Sequence, residues 1–232
     1  MGLFDLFGRT DHAVTRSALD EANDPDGTDD AVTTLIKRLT AVGIDGVGPY
    51  SSAQDVARQA LERENGDVAA AIRRVVRRAE FGGAAGGFVT SLGGFLTMIV
   101  AIPANVFEFY VQATRMTAAV AVLRGYDVSD ERIRTAILLT LVGSNAADIL
   151  TRAGVATGSS AALQVAARGG LPRPALMVVQ KAVGFRILRS VGERVFTRLG
   201  KLVPLAGGVF GAIVDFAMMK RIGHQAVAEF PG

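Results

Sequence analysis

The chain has 232 residues, half of them hydrophobic and 20% charged, with 25 Lys and Arg against 22 Asp and Glu. This apolar content excludes a disordered chain, and the length is enough to bury a sizeable core. The absence of Cys excludes a disulfide framework, a thiolate zinc site and a Cys nucleophile, and His12 and His224 alone exclude a multi-histidine metal site. No cofactor is expected, and few residues are suited to catalysis, with Glu108 and Asp215 the candidates for a general acid or base.

The charge is unevenly spread. Residues 1–68 hold 13 acids and 6 bases, a net of −7, whereas 69–232 hold 9 acids and 19 bases, a net of +10. An acidic front on a basic body directs attention to anionic partners, either phospholipid headgroups or nucleic acid.

The start, MGLFDLFGR, lacks the basic region and long apolar stretch of a secretory signal, and Leu6 stands where myristoylation needs Ser or Thr. Leu3, Phe4, Leu6 and Phe7 fit either one apolar helical turn or a loosely ordered terminus. The acidic DEANDPDGTDD at 20–30, with Pro25 and Gly27, reads as a solvated linker.

Helical spacing begins with Val32, Leu35, Ile36, Leu39 and Val42, and GIDGVGP from Gly43 to Pro49 is expected to break that helix. Ser51 or Ser52 caps a second helix with Val56, Ala57, Ala60 and Leu61 inward. Asn65-Gly66 ends it, and Asp67 caps a third with Val68, Ala71, Ile72, Val75 and Val76 inward. That third helix carries Arg73, Arg74, Arg77 and Arg78, two like-charge i,i+4 pairs that disfavour an isolated helix. The four arginines should face water, acids of the N-terminal section or an anionic surface.

From Phe81 to Phe107 the chain has no charge: FGGAAGGFVTSLGGFLTMIVAIPANVF. Its 27 residues exceed the roughly 20 that cross a bilayer as a helix. Six glycines (Gly82, Gly83, Gly86, Gly87, Gly93 and Gly94), with Pro103 and Asn105, make one straight spanning helix a poor fit. Gly82–Gly86 and Gly83–Gly87 are small-xxx-small pairs suited to close helix approach. The segment fits either a re-entrant or buried hairpin or a tightly packed core helix.

The next helix runs from Ala104 to Leu123 and stops at Gly125. Asn105, Glu108, Gln112 and Arg115, spaced 3, 4 and 3, form one polar stripe on it. Such a stripe is a solvated face, a buried network closing Glu108 onto Arg115, or a ligand or headgroup site. After the turn at Gly125-Tyr126-Asp127, Ser129 should cap a helix holding Ile133, Ile137, Leu138 and Leu141, and a short helix follows around Ala146–Arg152. Pro172 and Pro174 introduce a long helix with Leu176, Val179, Val183, Ile187, Val191, Val195, Leu199 and Leu202 on one stripe. Lys181, Arg186, Arg189, Arg194, Arg198 and Lys201 lie off it, an arrangement that suits an anionic membrane surface or the outside of a bundle. The last segment opens at Pro204, has Gly207, Gly208 and Gly211 for close packing, and places Asp215 among apolar residues as a candidate partner for Arg115.

Several signatures are missing. There is no G-x-x-x-x-G-K-[ST] and no G-x-S-x-G, and no serine is placed beside His224 and Asp215 to form a triad. The second and third helices loosely resemble a helix-turn-helix, but the third offers Arg, Ala and Val at its start and no Asn, Gln or Ser to read base edges, which argues against nucleic acid.

The body, roughly residues 79–230, resembles the bacterial EcsC family. The resemblance lies in GGAAGGFVTSLGGF, IPANVFEFYVQATRMTAAVAVLRGYD and LGKLVPLAGGVFGAIVDF, with Ala121, Gly125, Tyr126 and Asp127 and then Pro204, Gly207 and Gly211 as the most telling positions. The family takes its name from a protein encoded beside an ABC transporter. It implies a predominantly α-helical fold and membrane or lipid association, and it transfers no catalytic residue.

The expected architecture is an all-α helical bundle with a glycine-rich apolar helical hairpin: a flexible acidic segment at 1–30, a small helical section at 31–78, and an EcsC-like domain at 79–232. The expected role is non-enzymatic. It is a protein on the cytoplasmic face of the inner membrane, peripheral or monotopic, meeting anionic phospholipid or handling lipid, with a membrane protein complex as a further candidate partner. The alternative is a soluble bundle that holds a lipid or other hydrophobic ligand in an apolar cavity.

Overall fold

The computed structural model of the chain describes residues 29–48, 50–82, 104–142, 146–152, 176–185, 187 and 204–232, with side chains at 29–31, 104–105, 147–148, 152 and 204–212 left aside. The N-terminal 1–28, the core of the charge-free run with Gly83, Gly86, Gly87, Gly93 and Gly94, and Arg186, Arg189, Arg194 and Arg198 lie outside the described residues. So do the side chain of Asn105 and the packing around Pro204, Gly207, Gly208 and Gly211.

Every regular element among the described residues is helical. They are α1 (Asp29–Thr40), a π-helical turn (Ala41–Asp45), α2 (Ala53–Arg63), α3 (Val68–Gly82), α4 (Ala104–Leu123), α5 (Glu131–Leu141), α6 (Ala146–Arg152) and α7 (Pro204–Glu229). Residues 176–185 are also helical. No helix among the described residues is long and apolar enough to cross a membrane.

The α1 stripe buries Val32, Leu35, Ile36 and Leu39. The break expected within Gly43–Pro49 falls at Gly46, three residues after its first glycine. The chain widens into the π turn, burying Val42, Gly43 and Ile44, and leaves the helix only at Gly46 with φ 76°. The reason is tertiary: a Cβ on Gly43 would lie 2.8 Å from both Cβ and Cγ2 of Thr114, so the missing side chain lets α4 approach.

Local chemistry sets the next boundaries. Ser52 Oγ accepts the Asp55 N–H at 3.0 Å and caps α2; Asp67 Oδ1 accepts the Ala70 N–H at 2.9 Å at the start of α3. Between them Asn65 and Gly66, both at positive φ, reverse the chain. On α3, Ala71, Ile72 and Val75 are buried, but Val68 is exposed, because the first turn stands clear of the neighbouring helices. The cap of α5 also differs from expectation. Asp130 accepts the Arg132 N–H at 2.8 Å, while Ser129 donates both N–H and hydroxyl to Asp127 in a turn one residue earlier.

Helix α4 is the hub, packed by α1, the π turn, α2, α3, α5 and α7. Val111, Ala113, Ala118, Ala119, Val120 and Ala121 have no exposed surface. The small alanines bring the neighbouring helices close, and the buried hydroxyls are satisfied: Thr114 Oγ1 donates to the Tyr110 carbonyl at 2.7 Å, and Thr140 Oγ1 to the Ile137 carbonyl at 2.6 Å. Leu176, Val179, Val183 and Ile187, four positions of the expected long stripe, are buried. Gln180 Nε2 ties this stretch to Thr135 Oγ1 at 3.0 Å.

Two longer-range ties complete the frame. Arg134 donates through Nη1 to Asp45 Oδ2 at 3.0 Å, through Nη2 to Asp45 Oδ1, and through Nε to the Val128 carbonyl at 2.9 Å, clamping α5 onto the π turn. At the other end Phe230 is buried edge-on against Tyr126, with ring centroids 5.2 Å apart, and the Tyr126 hydroxyl donates to the Pro231 carbonyl at 3.2 Å. Tyr126 and its neighbour Gly125, which ends the α4 turn at φ 82°, thus anchor the tail of α7.

Candidate functional site

The antiparallel run of α2 and α3 across α4 leaves a cleft of about 320 Å³ between the three helices. Its position follows from side-chain spacing. Gln59 and Arg63 fall four apart on the outer face of α2, Arg74 and Arg78 four apart on α3, and Gln112, Arg115 and Met116 on the facing stripe of α4. Val56, Ala60, Val75 and Ala79 form its apolar floor. Gly82 stands at the end of α3, where an added Cβ would meet Gln112 Oε1 at an ordinary 3.5 Å.

The polar stripe of α4 therefore turns toward the cleft without closing as a network. Gln112 Nε2 donates to Glu108 Oε1 at 3.2 Å. Glu108 and Arg115 form no ion pair. The Arg115 guanidinium instead sits over the Tyr50 ring, 4.8 Å from its centroid. A ring face supplies attraction to the charge but no lone pair, and Arg115 Nε and Nη2 are both shut off from solvent with no acceptor among the described residues. Burial pulls the guanidinium below its ordinary value, opposed by the nearby Tyr50 and Glu108. The Tyr50 phenol is displaced upward, first by burial and then by Glu108, with Arg115 opposing. An arginine remains charged at neutral pH regardless, so a half-buried cation lines the cleft, with its Nε and Nη2 unpartnered and sealed from solvent.

The other arginines differ in their pairing. Arg74 Nη1 donates to Glu64 Oε1 at 2.7 Å and braces the α2–α3 turn. Arg63 and Arg78 line the cleft, and neither forms an ion pair among the described residues. Arg73 and Arg77 lie on the exposed face of α3.

The proposed pairing of Asp215 with Arg115 does not occur: Asp215 is half-buried on α7 and forms no ion pair among the described residues. Lys181 is half-buried in the 176–185 stretch. His224 is exposed. No group of three or more His, Cys, Asp or Glu among the described residues is placed to hold a metal ion.

Tyr50, Gln59 and Arg63 belong to this site and do not stand out in the sequence. Tyr50 follows a glycine-rich loop with no periodicity to mark its direction. The i,i+4 repeat of Gln59 and Arg63 was a usable signal only with the knowledge that α2 and α3 form a hairpin beside the α4 stripe.

An all-helical bundle centred on one buried hub helix, with an arginine-lined cleft on its flank, defines the class of protein. The model of the EcsC protein family matches residues 21–230, and the chain belongs to that family. The match takes in α1 to α3 as well as the body in which the recognisable motifs lie. No curated protein and no solved structure matches the chain.

Proposed function

We propose that this EcsC-family protein is a non-enzymatic, peripheral partner of an anionic lipid surface on the cytoplasmic side of the bacterial membrane. The observation that carries the reading is the exposed face of α3, where Arg73, Arg74, Arg77 and Arg78 all reach solvent and only Arg74 forms an ion pair among the described residues. Beyond the arginines the same helix ends in Phe81, which is 64% exposed and packs on Phe216 of α7, near the 60% exposed Ile213. A basic face with an apolar edge suits the boundary between headgroups and acyl chains. Each base held near an anionic leaflet contributes about 1 kcal/mol, so Arg73, Arg77 and Arg78 supply roughly 3 kcal/mol together. That favours reversible association over permanent anchoring.

Flotation with vesicles tests the reading. The protein should float with phosphatidylglycerol-containing vesicles at low salt and not with pure phosphatidylcholine. Raising the salt, or combining Arg73→Gln with Arg77→Gln, should release it. Equal recovery with neutral and anionic vesicles, or no recovery with either, overturns the proposal.

A further inference from the structure

Arg115 poses a physical question that the exposed face of α3 does not answer. Burying a charged group without partners is costly, and an unsatisfied charged donor costs more than a neutral one. Glu108 is near enough to act on Arg115 through its charge, but one of its oxygens is engaged by Gln112 and it forms no ion pair with the guanidinium. Tyr50 occupies the face of the cation and leaves Nε and Nη2 with nothing to accept their protons. Two further arginines, Arg63 and Arg78, line the same cleft without an ion pair among the described residues, while Glu64 is taken by Arg74.

From this arrangement we infer that the cleft between α2, α3 and α4 binds a phosphate-bearing group, held by the exposed Arg63 and Arg78, with Gln112 as an additional donor and Arg115 adding its charge from the wall. Several features select phosphate. Three guanidinium groups outweigh a single carboxylate, and the forks of N–H donors on Arg63 and Arg78 match phosphate oxygens in pairs. The ligand carries an apolar portion, because the floor beneath the arginines is Val75, Ala79 and Met116 rather than polar side chains. Size then limits it. About 320 Å³ lies at the lower end of the roughly 300–1,000 Å³ of small-molecule sites and accommodates a phosphorylated headgroup or phosphate ester but not two acyl chains. A lipid would present its headgroup to the cleft and leave its chains outside, toward the exposed Phe81. The inference rests on the lipid-surface reading only for the source of the phosphate; the cleft itself recognises a free phosphate ester equally.

The test uses the full chain and three probes: glycerol 3-phosphate, the short-chain soluble lipid dihexanoyl phosphatidic acid, and phosphatidylcholine vesicles with or without phosphatidic acid. Calorimetric titration should show saturable binding of at least one soluble phosphate probe. Arg115→Met and Arg78→Gln should each weaken that binding by tenfold or more, while Arg58→Gln, on α2 outside the cleft, leaves it unchanged. Arg78 is exposed, so its variant retains the fold if the buried Arg115→Met does not; circular dichroism checks both. Binding of glycerol 3-phosphate with no vesicle association supports the cleft with a free ester as its ligand and defeats the lipid-surface reading. Binding of dihexanoyl phosphatidic acid and of vesicles, both lost in Arg78→Gln, supports the cleft with a lipid as its ligand. Vesicle association that is indifferent to Arg115→Met but weakened by Arg73→Gln with Arg77→Gln, with no binding of either soluble probe, overturns the cleft and leaves the surface reading standing. Absence of binding to all three overturns both.

Discussion

Glu229, in the last turn of α7, is a buried carboxyl whose ionisation should govern how stability changes with pH. It is only 7% exposed, its Oε2 is sealed from solvent with no hydrogen-bond partner, and burial pushes it up from 4.5 to about 7. Below about pH 4.5 the carboxyl is protonated in both the folded and the unfolded chain and contributes no difference. Between 4.5 and about 7 the unfolded chain releases its proton first, so the native state binds more protons and stability falls as pH rises. Above about 7 both forms are ionised and the full loss remains. One pKa unit corresponds to about 1.4 kcal/mol, which sets an upper bound of about 3 kcal/mol. The adjoining Ala228 is exposed, so solvent screening lowers this bound and we expect about 1–3 kcal/mol. Glu229→Gln preserves the shape and removes the titration. Urea unfolding of both proteins at pH 4.5, 6 and 8 should show near-equal stability at the lowest pH and a gap opening in favour of the variant. By pH 8 the variant should be about 1–3 kcal/mol more stable, or roughly 3–10 °C higher in Tm for a chain of this size. A constant gap across the series, or a variant less stable at pH 8, refutes the reasoning.

Gly43→Ala should destabilise the protein despite the higher helix propensity of alanine. The added Cβ falls 2.8 Å from Thr114 Cβ and Cγ2 and 3.2 Å from the Val111 carbonyl, and neither the β-branched side chain nor the backbone can swing aside. Overpacking of about 1–3 kcal/mol, less roughly 1 kcal/mol of propensity, leaves a net loss near 1 kcal/mol. Thermal unfolding beside Gly82→Ala, where the contact is an ordinary 3.5 Å, checks the comparison. Arg134→Ala removes the paired contacts with Asp45 and a bond to the Val128 carbonyl, and should cost about 1–2 kcal/mol in urea unfolding. Asp45→Asn in the Arg134→Ala background should then add little, since the two residues share one interaction. Full additivity of the two losses argues against the clamp.

Much of the fold could be read directly from the chain. The limits of α4 at Ala104 and Leu123, the short helix at Ala146–Arg152 and the start of α7 at Pro204 coincide with the expected positions. These boundaries are set by interactions within a few residues: caps, prolines, and glycines at turns. Two details that local rules did not supply are informative. The helix break expected within Gly43–Pro49 falls at Gly46, and Thr114 of α4 explains why Gly43 itself is retained inside a widened turn. Ser129 was expected to cap α5, but its hydroxyl is turned back to Asp127 and Asp130 Oδ1, one residue on, accepts the Arg132 N–H instead.

The site was legible in part. The α4 stripe and the α3 arginines were evident from spacing, because helical periodicity alone puts Glu108, Gln112 and Arg115 on one face. Which groups that face meets depends on helices brought together from distant parts of the chain. Local spacing could suggest Glu108 or Asp215 as the partner of Arg115, but only packing could put Tyr50 beneath its guanidinium and leave Nε and Nη2 without an acceptor. The same holds for the opening half-apolar composition with its −7 front and +10 body. Sequence alone determined an all-helical chain with a basic body, since composition and helical spacing are properties of the chain itself. Tertiary structure decided that some of those bases surround a cleft, because the directions of α2, α3 and α4 relative to one another are fixed by the shared core and by no local rule.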